Sequence, residues 1–182
     1  MSDQEKIRAL YQDLRQDMRV QWNRTLPFDE LLFDRWELAR YLGFEEGASI
    51  YHNSYVFGDV RVGEKTWIGP HVILDGSGGT LSIGSTCSIS AGVHIYTHDS
   101  IAWALTGGRA EYQKGLVSLG DACHIGAMSV ITKGANIGDH CLVAANSVVT
   151  RPIPSFSIAR GSPAEVVGRV RVDGEDINLE FF

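Results

Sequence analysis

The sequence has no run of apolar residues near the roughly 18 that a membrane-crossing helix needs, so no membrane span is expected. Its opening residues, Met-Ser-Asp-Gln-Glu-Lys, have none of the character of a secretory leader, and the expected address is the cytoplasm. Lysine and arginine form no stripe. With 16 basic against 22 acidic side chains and a formal charge of −6, a nucleic-acid partner is not expected either. Cysteine is scarce: Cys87, Cys123 and Cys141 are the whole set, and no Cys-x-x-Cys spacing points to redox chemistry or a metal. They read as free thiols used as compact apolar groups. Histidine numbers only six, so one placed at a break in the pattern stands out.

What the chain does have is a six-residue period. Aliphatic residues recur at Ile50, Val56, Val62, Ile68 and Leu74, then at Ile83, Ile89 and Ile95, then at Leu119, Ile125, Ile131, Ile137, Val143 and Val149. Glycine often follows directly, as at Gly63, Gly69, Gly84, Gly120, Gly126 and Gly138. The fourth position after the aliphatic residue is usually small, for example Ser54, Thr66, Cys87, Cys123, Ser129, Ala135, Cys141 and Ser147. Neither a helix nor an amphipathic strand has that period. One large apolar and one small residue per repeat suit a short strand and a tight corner, and three such sides close a coil of about 18 residues whose neighbours stack at strand spacing. The fold expected is an all-β solenoid over residues 46–155, with 182 residues enough for one compact domain and a small appendage.

Residues 1–45 follow a different rule and read as a helical cap. Ile7, Leu10, Tyr11, Leu14 and Met18 mark one helix face. Pro27 then precedes a second helix over Asp29–Leu42, stopped by Gly43. The two helices would cover the open end of the solenoid, where strand edges and core are otherwise exposed. Residues 156–182 read as a closing turn and tail.

The period slips twice, and slips are where such folds carry function. Between Leu74 and Ile83, Asp75-Gly-Ser-Gly-Gly-Thr80 adds three residues as a glycine-rich corner, and Asp75 is either a turn residue or a hydrogen-bond partner for a substrate hydroxyl. Between Ile95 and Leu119 the spacing is 24 positions instead of six, which predicts a loop projecting over about 100–117 with Trp103, Arg109, Tyr112 and Lys114 on it. Trp103 is a candidate for stacking on a ring-shaped substrate or on a neighbouring subunit. His98 and Asp99 stand where the chain leaves for that loop.

Together with the repeat, three segments carry a resemblance: Ile89-Ser-Ala-Gly-Val-His-Ile-Tyr-Thr-His-Asp99, Val143-Ala-Ala-Asn-Ser-Val-Val-Thr-Arg-Pro152 and Ile158-Ala-Arg-Gly-Ser-Pro-Ala-Glu-Val-Val-Gly168. Over roughly residues 46–170 the chain resembles the hexapeptide-repeat acyltransferases, and within them the sugar and surface-polysaccharide O-acetyltransferases. The resemblance implies a left-handed parallel β-helix, a handedness that the usual rule for parallel crossovers would not supply. It also implies acetyl-CoA as co-substrate, a homotrimer with the coenzyme between subunits, and direct transfer to a sugar hydroxyl.

The same resemblance gives the residues their expected roles. His98 matches the catalytic histidine, a base suited to taking a proton from a hydroxyl near neutral pH. His94, Asp75, Asp99 and Trp103 would line the acceptor side. Ala127, Ala145, Thr150, Arg151, Gly161 and Pro163 match coenzyme contacts, with Arg151 able to meet a phosphate as a fork. Glu165 departs from the pattern, since many relatives carry a basic residue there. His124 falls where the family often has tryptophan, and His52, His71 and His140 read as surface residues. Three rival readings stand beside this one. They are an N-acetyltransferase of an amino-sugar nucleotide, a metal enzyme like the γ-class carbonic anhydrases, and a non-catalytic trimeric scaffold. The metal reading lacks a third ligand beside His94 and His98, and no metal is expected.

Overall fold

A computed structural model describes all 182 residues. Two-residue strands, each an outward residue followed by a buried aliphatic one, wind into coils with three faces. The first face stacks Ser49–Ile50, Trp67–Ile68, Ser88–Ile89, His124–Ile125, Leu142–Val143 and Ser157–Gly161, all parallel. The second pairs Val56 with Leu74, Leu74 with Ile95, Ile95 with Ile131 and Ile131 with Val149. The third pairs Val62 with Ile83, Ile83 with Leu119 and Leu119 with Ile137, and a bridge adds Ile153. Apart from the last layer, Ile153 and Ala159, each core pairing joins residues that the six-residue series named, so the series forms three internal columns. Ile50, Ile68, Leu74, Ile89, Ile95, Ile125 and Ile131 have no solvent exposure at all. This is the arrangement of a parallel β-helix.

The corners work by a device the period does not show. Lys65, Thr86, Ala122, His140 and Phe156 all have φ between 50° and 60° although none is glycine. Each immediately precedes a small inward residue, namely Thr66, Cys87, Cys123, Cys141 and Ser157. Left-handed backbone costs a non-glycine residue roughly 1 kcal/mol, and here each N–H is answered by a carbonyl of the coil before, as from Ala122 to Ser85 (2.9 Å) and His140 to Asp121 (2.8 Å). Cys87, Cys123 and Cys141 are buried in one column. Their sulfurs donate to the carbonyls of Gly120, Gly138 and Pro154 at 3.2, 3.0 and 3.1 Å.

The first slip is not a separate corner. Tyr55–Val62 and Ile73–Ile83 each run continuously from the second face to the third, and the extra residues lie in the longer strand between Gly76 and Leu81, opposite the step from Gly58 to Val60. The second slip is a hairpin whose stem pairs His98–Asp99 with Gln113–Lys114, with helix Ile101–Leu105 at its far end. Val117 is already back in the core at 1% exposure, so the projecting part is shorter at that end than the sequence suggests.

The ends also differ from expectation. Helix α1, Asp3–Trp22, is closed by a capping box between Ser2 and Glu5 but buries no residue. It rests on the next segment through Tyr11 against Phe28, at 5.4 Å. The expected second helix is two, α2 (Asp29–Leu32) and α3 (Arg35–Tyr41), because Phe33 is extended and Asp34 starts afresh by accepting a hydrogen bond from the Trp36 amide. α3 covers the solenoid through buried Ala39 with Leu38 and Leu42, and α2 meets it through buried Glu30, which accepts the Asn53 amide at 3.0 Å. At the other end the chain forms an antiparallel ribbon, Ala164–Asp173 with Asp176–Phe181, in place of a plain tail.

Candidate functional site

The stem of the projecting hairpin is fixed by Thr97, which is fully buried. Its N–H and hydroxyl both donate to the Asp75 carbonyl (3.0 and 2.8 Å). Its hydroxyl accepts from Gly78 N–H (2.9 Å), and its carbonyl accepts from Gly115 N–H (2.8 Å). Both strands of the stem are thereby tied to the second coil. The next residue, His98, lies with Nδ1 enclosed and 3.7 Å from Oδ2 of Asp75. Asp75 is 8% exposed, and its other oxygen accepts from the Ser77 amide at 2.9 Å. Glycine is needed nearby: a Cβ on Gly78 would collide with the Thr97 carbonyl and stand 2.6 Å from the Cβ of His98. The glycine-rich insertion and the long loop, far apart in the sequence, thus build one place.

Aromatic rings complete it. Tyr112 lies parallel to the His98 imidazole with centroids 6.0 Å apart, and Trp103 meets Tyr112 edge-on at 5.8 Å. Asp99 points elsewhere, to Lys133 Nζ of the following coil at 2.8 Å, and accepts the Ile101 amide at 2.9 Å. The Lys133 hydrogen bond, with that amide, holds the Asp99 carboxyl below the usual carboxylate range. Tyr96, on the strand leading to the site, is pushed above the ordinary phenol value by burial and by the charge of Asp75.

The structure gathers His98, Asp75 and Trp103, with Asp99 at the edge. His94 belongs to the outer side of the second face, its Nδ1 3.3 Å from the Tyr96 hydroxyl. His124 is exposed on the first face, remote in the coil from the hairpin. His71 is exposed, whereas His52 is only half-exposed, with Nε2 enclosed and its ring 5.3 Å from Phe33. His140 stacks on Phe156 at 4.7 Å. No group of three or more histidine, cysteine or carboxylate side chains converges to hold a metal ion.

The residues matched to coenzyme contacts form a second set. Ala127 and Ala145 occupy successive corners between the first and second faces, where the Asn146 amide donates to the Ala127 carbonyl at 2.9 Å. Gly161 extends that corner by donating to Ser147 Oγ at 3.2 Å, and Pro163 follows in the turn. Thr150 and Arg151 are exposed after the last strand of the second face, and the Arg151 guanidinium lies 3.6 Å from Glu165. In one chain, the second face separates Ala127, Ala145, Gly161 and Pro163 from His98, whereas Thr150 and Arg151 follow that face at the same end as His98, two layers on. Lys133 carried no sequence signal, because it is an ordinary position after Ile131 until the stacking register brings it beside Asp99.

Residues 116–151 match the family model described as the hexapeptide repeat of succinyl-transferase. No curated protein matches the chain. Among solved structures, the chain is similar to the hexapeptide-repeat-containing acetyltransferase VCA0836 of Vibrio cholerae O1 biovar eltor, complexed with acetyl coenzyme A. Identity there is 26%, the TM-score is 0.60, and 92% of this chain and 89% of that one are covered. It shares its fold with AntD, an N-acyltransferase from Bacillus cereus in complex with dTDP and 3-hydroxybutyryl-CoA (19% identity, TM-score 0.57, covering 72% of this chain and 86% of that one). The polySia-specific acetyltransferase NeuO has the same fold at 22% identity and a TM-score of 0.54, covering 71% of this chain and 66% of that one.

Proposed function

We propose that this chain, which carries the hexapeptide repeat and has the fold of hexapeptide-repeat acetyltransferases, is an acetyl-CoA-dependent O-acetyltransferase acting on a sugar or polysaccharide precursor. The observation that carries the reading is His98, held at the root of the projecting hairpin with one ring nitrogen turned to a buried carboxylate. Nδ1 facing Asp75 leaves Nε2 for an acceptor hydroxyl. As that oxygen attacks the thioester carbonyl, Nε2 takes its proton, and Asp75 stabilises the imidazolium that forms. Collapse of the tetrahedral intermediate breaks the C–S bond and returns the proton to the leaving thiolate, while backbone amides stabilise the oxyanion. In this reading Asp75 positions the base instead of binding substrate. Hydrogen bonds to a carboxylate are often long until substrate is present, which agrees with 3.7 Å.

The reading extends to a left-handed coil, a cytoplasmic homotrimer and a coenzyme groove along Ala127, Ala145, Thr150, Arg151, Gly161 and Pro163 that meets a neighbouring subunit's His98. The trimer supplies what one chain lacks, since here Ala127, Ala145, Gly161 and Pro163 lie on a different corner from His98. Free-thiol release from acetyl-CoA against a panel of hydroxyl and amine acceptors tests it. His98→Ala should lower kcat by about 10² to 10⁴-fold and leave calorimetric acetyl-CoA affinity nearly unchanged. Retention of most of the kcat by His98→Ala would sink the assignment of the base. A preference for amines over hydroxyls would move the function to N-acetylation.

A further inference from the structure

The hairpin stem sets a lysine directly opposite the proposed base. His98 pairs with Lys114 and Asp99 with Gln113 in an antiparallel ladder. Side chains of directly opposed residues stand on the same side of a sheet with Cβ atoms about 4.5–5.5 Å apart. Tyr112, two residues before Lys114, shares that side, and its ring does lie parallel to His98. Lys114 is exposed and takes part in none of the ion pairs of the chain.

Beside it opens a cleft of about 460 Å³ lined by Gln113, Lys114, Gly115, Lys133 and Gly134. The lining holds two cations and no carboxylate, in a chain whose net charge is −6. The amides of Gly115 and Gly134 are already committed to the carbonyls of Thr97 and Leu116. Lys133 is paired with Asp99, and Gln113 stands on the Asp99 side of the ladder, so the unpaired cation of the stem on the side of His98 is Lys114. Lys133 bonds Asp99 with one of its three hydrogens, and it is one-quarter exposed.

We infer that the acceptor is an acidic saccharide, whose carboxylate or phosphate sits on Lys114 while a neighbouring hydroxyl meets His98. This rests on the transferase reading, to which it adds the charge of the substrate and the residue that selects it. A phosphate takes a lysine as a point charge, and a carboxylate does the same, so both sources fit the cleft. Selection of this kind weakens as salt rises, because an open cleft is screened.

Three probes test the inference, each with the full-length protein: methyl glucoside, glucose 1-phosphate with the same free ring and 6-hydroxyls, and methyl glucuronide, in which a carboxylate replaces the 6-hydroxymethyl group. One acidic probe should exceed the neutral one by about tenfold in kcat/KM, and the better of the two identifies the anion. Lys114→Gln should remove that advantage through KM while leaving methyl glucoside and acetyl-CoA unaffected, and Lys114→Arg should restore most of it. Equal use of neutral and acidic probes would overturn the inference. A Lys114→Gln effect that is the same on all three, or a rise in the KM for acetyl-CoA, would overturn it too, the latter by giving the cleft to the coenzyme. Ligand-observed NMR reads binding without turnover. Acidic-probe binding lost in Lys114→Gln, with no transfer by the wild type, would count against the transferase reading and leave the anion site standing. Absence of any acidic-probe signal would overturn the anion site itself.

Discussion

Replacing Asp75 by asparagine isolates charge from packing at the root of the hairpin. Asparagine keeps an oxygen to accept the Ser77 amide, which Asp75 now does at 2.9 Å, and it has nearly the same volume. What it removes is a negative charge 3.7 Å from His98 Nδ1. At an effective dielectric of about 20, that pair is worth at most about 4.5 kcal/mol once the imidazole is protonated. The side chains remain 26% and 12% exposed, so solvent takes part of this, and about 1.5–3 kcal/mol is a reasonable remainder. In the proposed reaction the imidazolium forms as the proton is transferred, so the loss should appear as a roughly 10- to 100-fold fall in kcat. Steady-state assays across acceptor concentration, paired with thermal melting, measure both quantities. A kcat within twofold of wild type at unchanged melting temperature would refute the idea that Asp75 serves the base. A loss matched by a collapse in melting temperature would show that it serves only the fold.

Gly78→Ala forces a Cβ against the Thr97 carbonyl, so it should displace His98. We expect it to lower kcat at least tenfold while costing about 1–3 kcal/mol of stability, and full activity at wild-type stability would show that the close approach does not matter. Cys123 and Cys141 should resist a bulky maleimide in the folded protein. The neighbouring sulfurs of Cys141 and Cys87, with burial, push the Cys123 thiol well above its ordinary value. Cys141 is lowered to about 7, chiefly by its hydrogen bond with Cys123, so its resistance rests on burial and on the carbonyls to which all three thiols donate. Labelling as fast as in denaturant would contradict the column.

The columns were legible because burial in a coil demands one aliphatic residue per side, and Ile50 through Val149 state that demand without exception in the regular turns. His98 was legible because the pattern breaks beside it. Asp75 was visible as a residue but not as a partner, since its meeting with His98 depends on adding three residues at one slip and a hairpin at the other. Lys133 was invisible for the same reason: only the stacking of Ile95 on Ile131 carries its neighbourhood over to Asp99. The split at Phe33 escaped because helix periodicity passes through it, and Asp34 restarts the helix by a local hydrogen bond that a period cannot express. The left-handed corners escaped too, because lysine, threonine, alanine, histidine and phenylalanine give no composition signal for them.

The hairpin leaves and rejoins the same coil within one hydrogen bond, Gly115 to Thr97. Closing a loop whose ends are already neighbours adds an entropy that grows only slowly with its length. The segment between them can therefore lengthen, shorten or change sequence in the course of descent while the stacked layers above and below keep their register. A chain built this way separates the inheritance of its frame from the inheritance of its specificity. Homologues with the same columns can diverge in what they modify through this one appendage.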